Sequence, residues 1–224
     1  YRAFVDEGLR DLIAAPMSEE DKQSLRQLME LGLHHEQQHQ ELLLTDIKYN
    51  FGHNPLHPPL IESTGLANEC SVLQRALSFN DYEPGLVEIG ALAGFCFDNE
   101  LPRHRVYLAP FSLANRLVTN EEYLAFMEDG GYHRPELWLS EGWSHCQQQA
   151  WNHPLYWHWR DGAWCEYRFD GLHPLVSDAP VVHVSGYESA AFAAWSNARL
   201  PTEFEWEHAS SFELELDGNF AERN

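Results

Sequence analysis

Apolar positions in the first fifty residues recur at helical intervals. Phe4, Val5, Leu9, Leu12 and Ile13 line one side of a short helix that Pro16 ends. Ser18 then offers an N-cap, with Asp21 three positions on, for a second, long helix to about Tyr49. Gly52 ends that helix, and Pro55, Pro58 and Pro59 lie beyond it. Residues 53–84 are irregular and proline-bearing and read as a crossover between domains. From Gly85 onward the grammar changes to short strands, as at 86–89 and 105–108, and frequent turns. Two helices stand out there, at 120–128 and 189–197. No internal repeat or low-complexity tract is evident. The pattern predicts an α+β chain: a helical segment over 1–52, a linker over 53–84, and an irregular α/β domain over 85–224.

The long helix carries Leu33-His34-His35-Glu36-Gln37-Gln38-His39-Gln40-Glu41. His35 and His39, four apart, stand one above the other on a helix, a spacing at which two imidazoles can bind one metal ion. Leu28, His35 and Leu42 share a heptad position, Gly32 lies on the same face, Asp46 falls near it, and Gln38 sits beside the pair. The histidines are therefore expected to point along an apolar stripe into a bundle interior. A ring nitrogen without a partner would cost roughly 1–3 kcal/mol there. Spacing alone leaves alternatives open. The pair reads as core histidines bonded to neighbours or as metal ligands. His35-Glu36-Gln37-Gln38-His39 also matches the zinc-hydrolase pattern, with Glu36 as general base. No third zinc ligand follows at a familiar spacing; His53 and His57 lie among prolines and read as loop residues.

Composition narrows the function classes. The 224 residues suffice for one large or two small domains, and 44% apolar with 22% charged residues is ordinary for a globular protein. The net charge of −21, from 35 acids and 14 bases, argues against nucleic acid or an anionic membrane surface as partner. No apolar run reaches the roughly 18 residues needed to span a bilayer. Cys70, Cys96, Cys146 and Cys165 are scattered without a C-x-x-C pair, which excludes a zinc ribbon and reads as reduced thiols in a cytoplasmic protein. Tyr1-Arg2-Ala3-Phe4 is neither a signal peptide nor a methionine start. Trp138, Trp143, Trp151, Trp157, Trp159 and Trp164 read as core rather than as a cage for a trimethylammonium group. Asp98, Asn99 and Glu100 could ligate calcium by chemistry but read as turn residues. Glu203, Glu205 and Glu207 look structural, with Arg199 as a partner.

The string from His35 to Leu42 resembles the metal helix of the ergothioneine-type sulfoxide synthases. These join a DinB-like helical domain to one of the formylglycine-generating (sulfatase-modifying factor, C-type-lectin-like) fold. Four later stretches carry the resemblance further. They are Gly94-Phe95-Cys96-Phe97-Asp98-Asn99-Glu100-Leu101-Pro102-Arg103-His104, Val118 to Phe126 with Asp129-Gly130-Gly131-Tyr132, Leu137 to Trp143, and Pro180 to Ser185 with Arg199-Leu200-Pro201-Thr202-Glu203-Phe204-Glu205-Trp206-Glu207. The last is a specific signature of the formylglycine-generating fold; the first looks specific to the sulfoxide-synthase branch.

The resemblance implies a non-haem Fe(II) enzyme. With O2 it would join a cysteine-type thiol (cysteine or γ-glutamylcysteine) to the imidazole of a histidine derivative such as trimethylhistidine, giving a sulfoxide. It implies His35 and His39 as two of three histidine ligands, Gln38 as a residue orienting the imidazole substrate, and Glu41 as a residue fixing a ligand ring. Glu36 would then be a solvated or ion-paired helix residue. The family's third histidine lies upstream of Tyr1 and its active-site tyrosine downstream of Asn224. The resemblance thus implies an internal part of a longer protein, inactive by itself, with the catalytic residue outside this chain. A second rival to the enzyme reading is a non-catalytic binding module that kept the formylglycine-generating fold.

Overall fold

The computed structural model describes residues 1–62, 76–92 and 94–211. Cys70 and the last positions of the expected second domain, 212–224, lie outside the described residues. Helix α1 (Arg2–Ala14) stops two residues before Pro16. Helix α2 (Glu19–Gly52) opens on the predicted cap, where Ser18 Oγ accepts the Asp21 N–H at 3.1 Å. Strands and helices then alternate as β1 (Phe79–Tyr82), β2 (Gly85–Ile89), β3 (His104–Leu108), β4 (Phe111–Ala114), α3 (Asn120–Glu128) and α4 (Ser140–Gln149). They continue as β5 (Trp157–Arg160), β6 (Ala163–Arg168), β7 (Gly171–Pro174), α5 (Gly186–Trp195) and α6 (Glu203–Ser210). The chain is α+β, as the pattern predicts.

All strand pairs are antiparallel. β1 pairs with β4 from Phe79↔Ala114 to Tyr82↔Phe111, and β2 with β3 from Gly85↔Leu108 to Ile89↔His104. A three-stranded sheet runs β5-β6-β7, with Trp159 opposite Trp164 and Glu166 opposite His173. The main core lies among α3, α4, α5 and the sheet: Tyr123, Phe126, Tyr132, Trp138, Cys146, Trp157 and Ala191 are buried together. Its polar atoms are partnered. Trp138 Nε1 donates to Gly131 O at 2.8 Å, and Tyr132 Oη donates to Glu188 Oε1 at 2.5 Å. The tryptophan run is thus core, with Trp143, Trp151 and Trp164 packed against it. Trp159 departs from that expectation: it is 61% exposed, although its ring meets Trp164 edge-on at 5.4 Å. Cys96, Cys146 and Cys165 are free thiols.

Two helices escape the sequence pattern. α4 offers little apolar periodicity and is fixed by Gly142 and Cys146, its buried positions. α6 falls inside the Arg199–Glu207 signature. That signature has a counterpart earlier in the chain: Arg116-Leu117-Val118-Thr119-Asn120-Glu121-Glu122 and Arg199-Leu200-Pro201-Thr202-Glu203-Phe204-Glu205 build the same device at the starts of α3 and α6, a short repeat not evident from the apolar pattern. In each, the threonine and glutamate form a reciprocal capping box. The arginine six residues before then clamps the glutamate with both terminal nitrogens, at 2.9 and 2.7 Å for Arg116–Glu122 and 2.7 and 2.5 Å for Arg199–Glu205. Each arginine also donates to the carbonyl of the following leucine. The bidentate pair holds the Glu205 carboxyl at a pKa of about 2, against the opposing effect of burial.

A carboxylate so depressed stabilises the fold at neutral pH, and that stability is lost as pH falls from the ordinary carboxylate range through about 2. Glu205→Gln keeps the shape and removes the charge. In urea denaturation it is expected to cost about 1–3 kcal/mol at neutral pH, with the difference from the unsubstituted protein shrinking toward pH 2.

Candidate metal centre

Helix α2 brings the two predicted ligands together. His35 and His39 face each other with ring centroids 4.5 Å apart and planes at 78°, and their Nε2 atoms are 3.3 Å apart. Two nitrogens each about 2.1 Å from a common ion would subtend about 104° at that separation, between octahedral and tetrahedral values. The imidazole pair therefore fits a divalent transition metal. It supplies two donors; among the described residues no group of three or more His, Cys, Asp or Glu side chains could hold an ion.

The expected bundle interior is not found. His35, Gln38, His39 and Glu41 are all exposed, and so are Leu28 and Leu42 at 66% and 51%. Among the described residues nothing packs over that stripe. α1 meets α2 through an ion pair between Arg2 Nη1 and Glu36 Oε1 at 3.5 Å, which gives Glu36 the ion-paired setting expected of it. The Glu41 carbonyl accepts from Thr45 Oγ1 at 3.1 Å while its carboxylate is exposed. Asp98, Asn99 and Glu100 form an exposed 3-10 turn, and Glu100 Oε2 accepts the Phe97 N–H at 3.1 Å, a turn role rather than a calcium cage.

Two contacts that periodicity could not reveal join α2 to the second domain. His34, next to His35, stacks on Phe95 with centroids 4.0 Å apart and planes at 20°. Phe95 belongs to the Gly94–His104 stretch, so that segment lies against the metal helix. Fourteen residues further along, Lys48 Nζ donates to His183 Nε2 at 2.7 Å and sits 4.7 Å from the centre of the Tyr156 ring. The last residues of α2 and the second domain line a cavity of about 950 Å³, with Tyr49, His53, His145, His153, His158 and His183 among its walls. His53 and His57 lie beyond the helix as expected, and each is engaged there: His53 caps α2, and His57 accepts from Arg160 and packs on His158. Burial, with His57, His153 and Arg160 nearby, pushes His158 down to about 4.

The second domain defines the class of protein. Residues 81–219 match the sulfatase-modifying factor enzyme 1-like domain, and the chain belongs to that family. More particularly, it is 36% identical over 191 residues to the hercynine oxygenase of Mycolicibacterium smegmatis, covering 82% of this chain and 41% of that protein. It is 33% identical over 214 residues to the hercynine oxygenase of Mycobacterium tuberculosis, covering 95% and 48%. Similarity to the formylglycine-generating enzyme of Streptomyces coelicolor, 33% over 135 residues, covers 52% of this chain. The chain spans about half the length of the hercynine oxygenases it matches. Among the described residues no helix is long and apolar enough to cross a membrane.

Docking of α2 requires Gly52 to lack a side chain. A Cβ there would lie 2.7 Å from Tyr156 Cε1 and 3.2 Å from Tyr167 Cδ1. Tyr156 and Tyr167 are 5% and 0% exposed and have no room to yield. Gly52→Ala is therefore expected to lift the end of α2 off the second domain and to lower stability by about 1–3 kcal/mol, read as a lower denaturation midpoint.

Proposed function

We propose that this chain carries two ligands of a mononuclear iron(II) centre in an O2-dependent sulfoxide synthase acting on a histidine derivative and a cysteine-type thiol. The observation that carries this reading is the converging His35/His39 pair, in a chain similar along most of its length to hercynine oxygenases. The reaction replaces an imidazole C–H and a thiol S–H by a C–S bond, with one oxygen atom of O2 on sulfur and the other leaving as water. Iron(II), when bound, would supply the electron transfer that ground-state O2 requires.

The chain's own residues would bind and orient. His35 and His39 would hold the ion as neutral imidazoles. Gln38, exposed beside them with both an amide donor and an amide acceptor, would hydrogen-bond the substrate imidazole. Glu41 would restrain a ligand ring. The remaining ligand and the tyrosine that the resemblance implies belong to the rest of the protein. Small molecules are the expected partners and the cytoplasm the expected setting.

The rival is a zinc hydrolase with Glu36 as base. Its motif is complete in sequence, but the Glu36 carboxylate is engaged by Arg2 at 3.5 Å. In the full-length protein, His35→Ala and His39→Ala are each expected to weaken iron(II) binding by more than about tenfold and to abolish O2 uptake with trimethylhistidine and thiol. Unchanged iron binding and turnover in both variants would overturn the proposal. Glu36→Gln is expected to leave sulfoxide formation within about twofold; loss of a zinc-dependent hydrolysis in that variant would favour the rival.

A further inference from the structure

The exposure of most of α2 makes its points of attachment informative. Its middle offers leucines to solvent, yet its last turns are seated: Lys48 reaches 2.7 Å from His183 Nε2, lies over Tyr156, and has the Phe169 ring at 5.8 Å. The chain that follows stays on the same surface. Tyr167 Oη donates to Pro58 O at 2.9 Å, and Leu60 N–H donates to Phe169 O at 2.7 Å. A half-buried lysine with an imidazole acceptor and an aromatic face is directional, unlike the apolar contacts around it.

We propose that Lys48 is a positioning residue, whose hydrogen bond to His183 and seat over Tyr156 lock the end of α2 in register with the second domain. The lock thereby sets the direction in which the distant His35/His39 pair is presented. The clause about the metal pair rests on the function proposed above; the lock itself does not.

The acceptor at His183 makes the lock dependent on pH. Burial, followed by the Lys48 charge, brings His183 down to about 4, so it is neutral and accepting at pH 7. Burial also lowers Lys48. The charged and titratable groups facing the pair are Glu166 and Arg168 of β6, bonded to each other at 2.9 Å, together with Tyr156 and, on α2, Tyr49 and His53. Glu188, His57, His145, His153 and His158 line the same cavity. Because His183 is depressed, the lock's contribution is complete above the ordinary histidine range and is lost as pH falls through about 4. Protonated His183 loses its acceptor lone pair and places a second cation beside Lys48.

Amide hydrogen exchange on the full-length protein tests this. Lys48→Met keeps the aliphatic stem without the charge. It is expected to speed exchange over residues 46–52 at least about tenfold while leaving the core around 123–126 unchanged. Lys48→Arg should recover much of the protection, since a guanidinium can still donate and lie over an aromatic ring. His183→Gln retains a neutral acceptor and should remove the acid-induced loosening near pH 4. Exchange in Lys48→Met within about twofold of the unsubstituted protein, or an unchanged acid step in His183→Gln, would overturn the lock. If Lys48→Met does not fold, the arginine and glutamine variants still decide. Iron binding and turnover test the effect on the metal pair separately. Retained iron affinity with at least about fivefold lower kcat in Lys48→Met supports positioning, and loosened exchange with unchanged kcat refutes it. If the unsubstituted protein binds no iron, the function proposed above fails while the exchange measurements still judge the lock.

Discussion

The close approach permitted by Gly52 is the constraint on which the candidate site depends. It seats the end of α2 against Tyr156 and Tyr167, two side chains with almost no exposure. His39 lies thirteen residues up the helix, about 20 Å at 1.5 Å per residue. At that radius a tilt of about 3° at the seat moves the imidazole pair by about 1 Å, enough to matter for oriented chemistry. A side chain at position 52 would therefore act on the metal pair without touching it. The His34–Phe95 stack steadies the helix near the pair itself, so α2 is held at two separated points.

Elsewhere in the second domain, a chain with 14 bases against 35 acids places arginines where elements begin and end. Arg116 and Arg199 each hold a capping glutamate and a carbonyl, fixing the starts of α3 and α6. Arg103 bonds Glu88 and the Gly90 carbonyl, while the Gly90 N–H donates to Glu207 at 2.6 Å, tying β2 to α6. Single exposed ion pairs contribute little. These differ because each one also satisfies backbone groups at a helix or strand end.

Most of the architecture was legible where local chemistry decides it. The Ser18 cap, the extent of α3, the strands β2 and β3 and the convergence of His35 with His39 all follow from spacing within a few residues. What escaped depends on the rest of the chain. α4 is defined by Gly142 lying against Tyr187, not by its own periodicity. The repeated Arg-Leu-x-Thr-x-x-Glu device was hidden because only four of its seven positions are fixed, and their meaning appears when the arginine folds back. The apolar stripe on α2 suggested burial, yet periodicity says only which residues share a face, not whether anything covers it. Lys48 and His183 are 135 residues apart, and no periodic pattern joins them.

The choice of a lysine for the seat of α2 can be argued from the alternatives. A leucine at position 48 would pack on Tyr156 and Phe169 without the desolvation that half-burying an ammonium requires. Apolar contact, however, is nearly indifferent to a shift of the helix by one turn, because leucines already recur along α2 at Leu42, Leu43 and Leu44. A donor that must meet one ring nitrogen at 2.7 Å is not indifferent. Sliding the helix by a turn would leave both Lys48 and His183 unpartnered in a partly buried place, a cost of about 1–3 kcal/mol for each group. The polar contact adds little net attraction but excludes the alternative registers, and register decides where along the second domain His35 and His39 are placed.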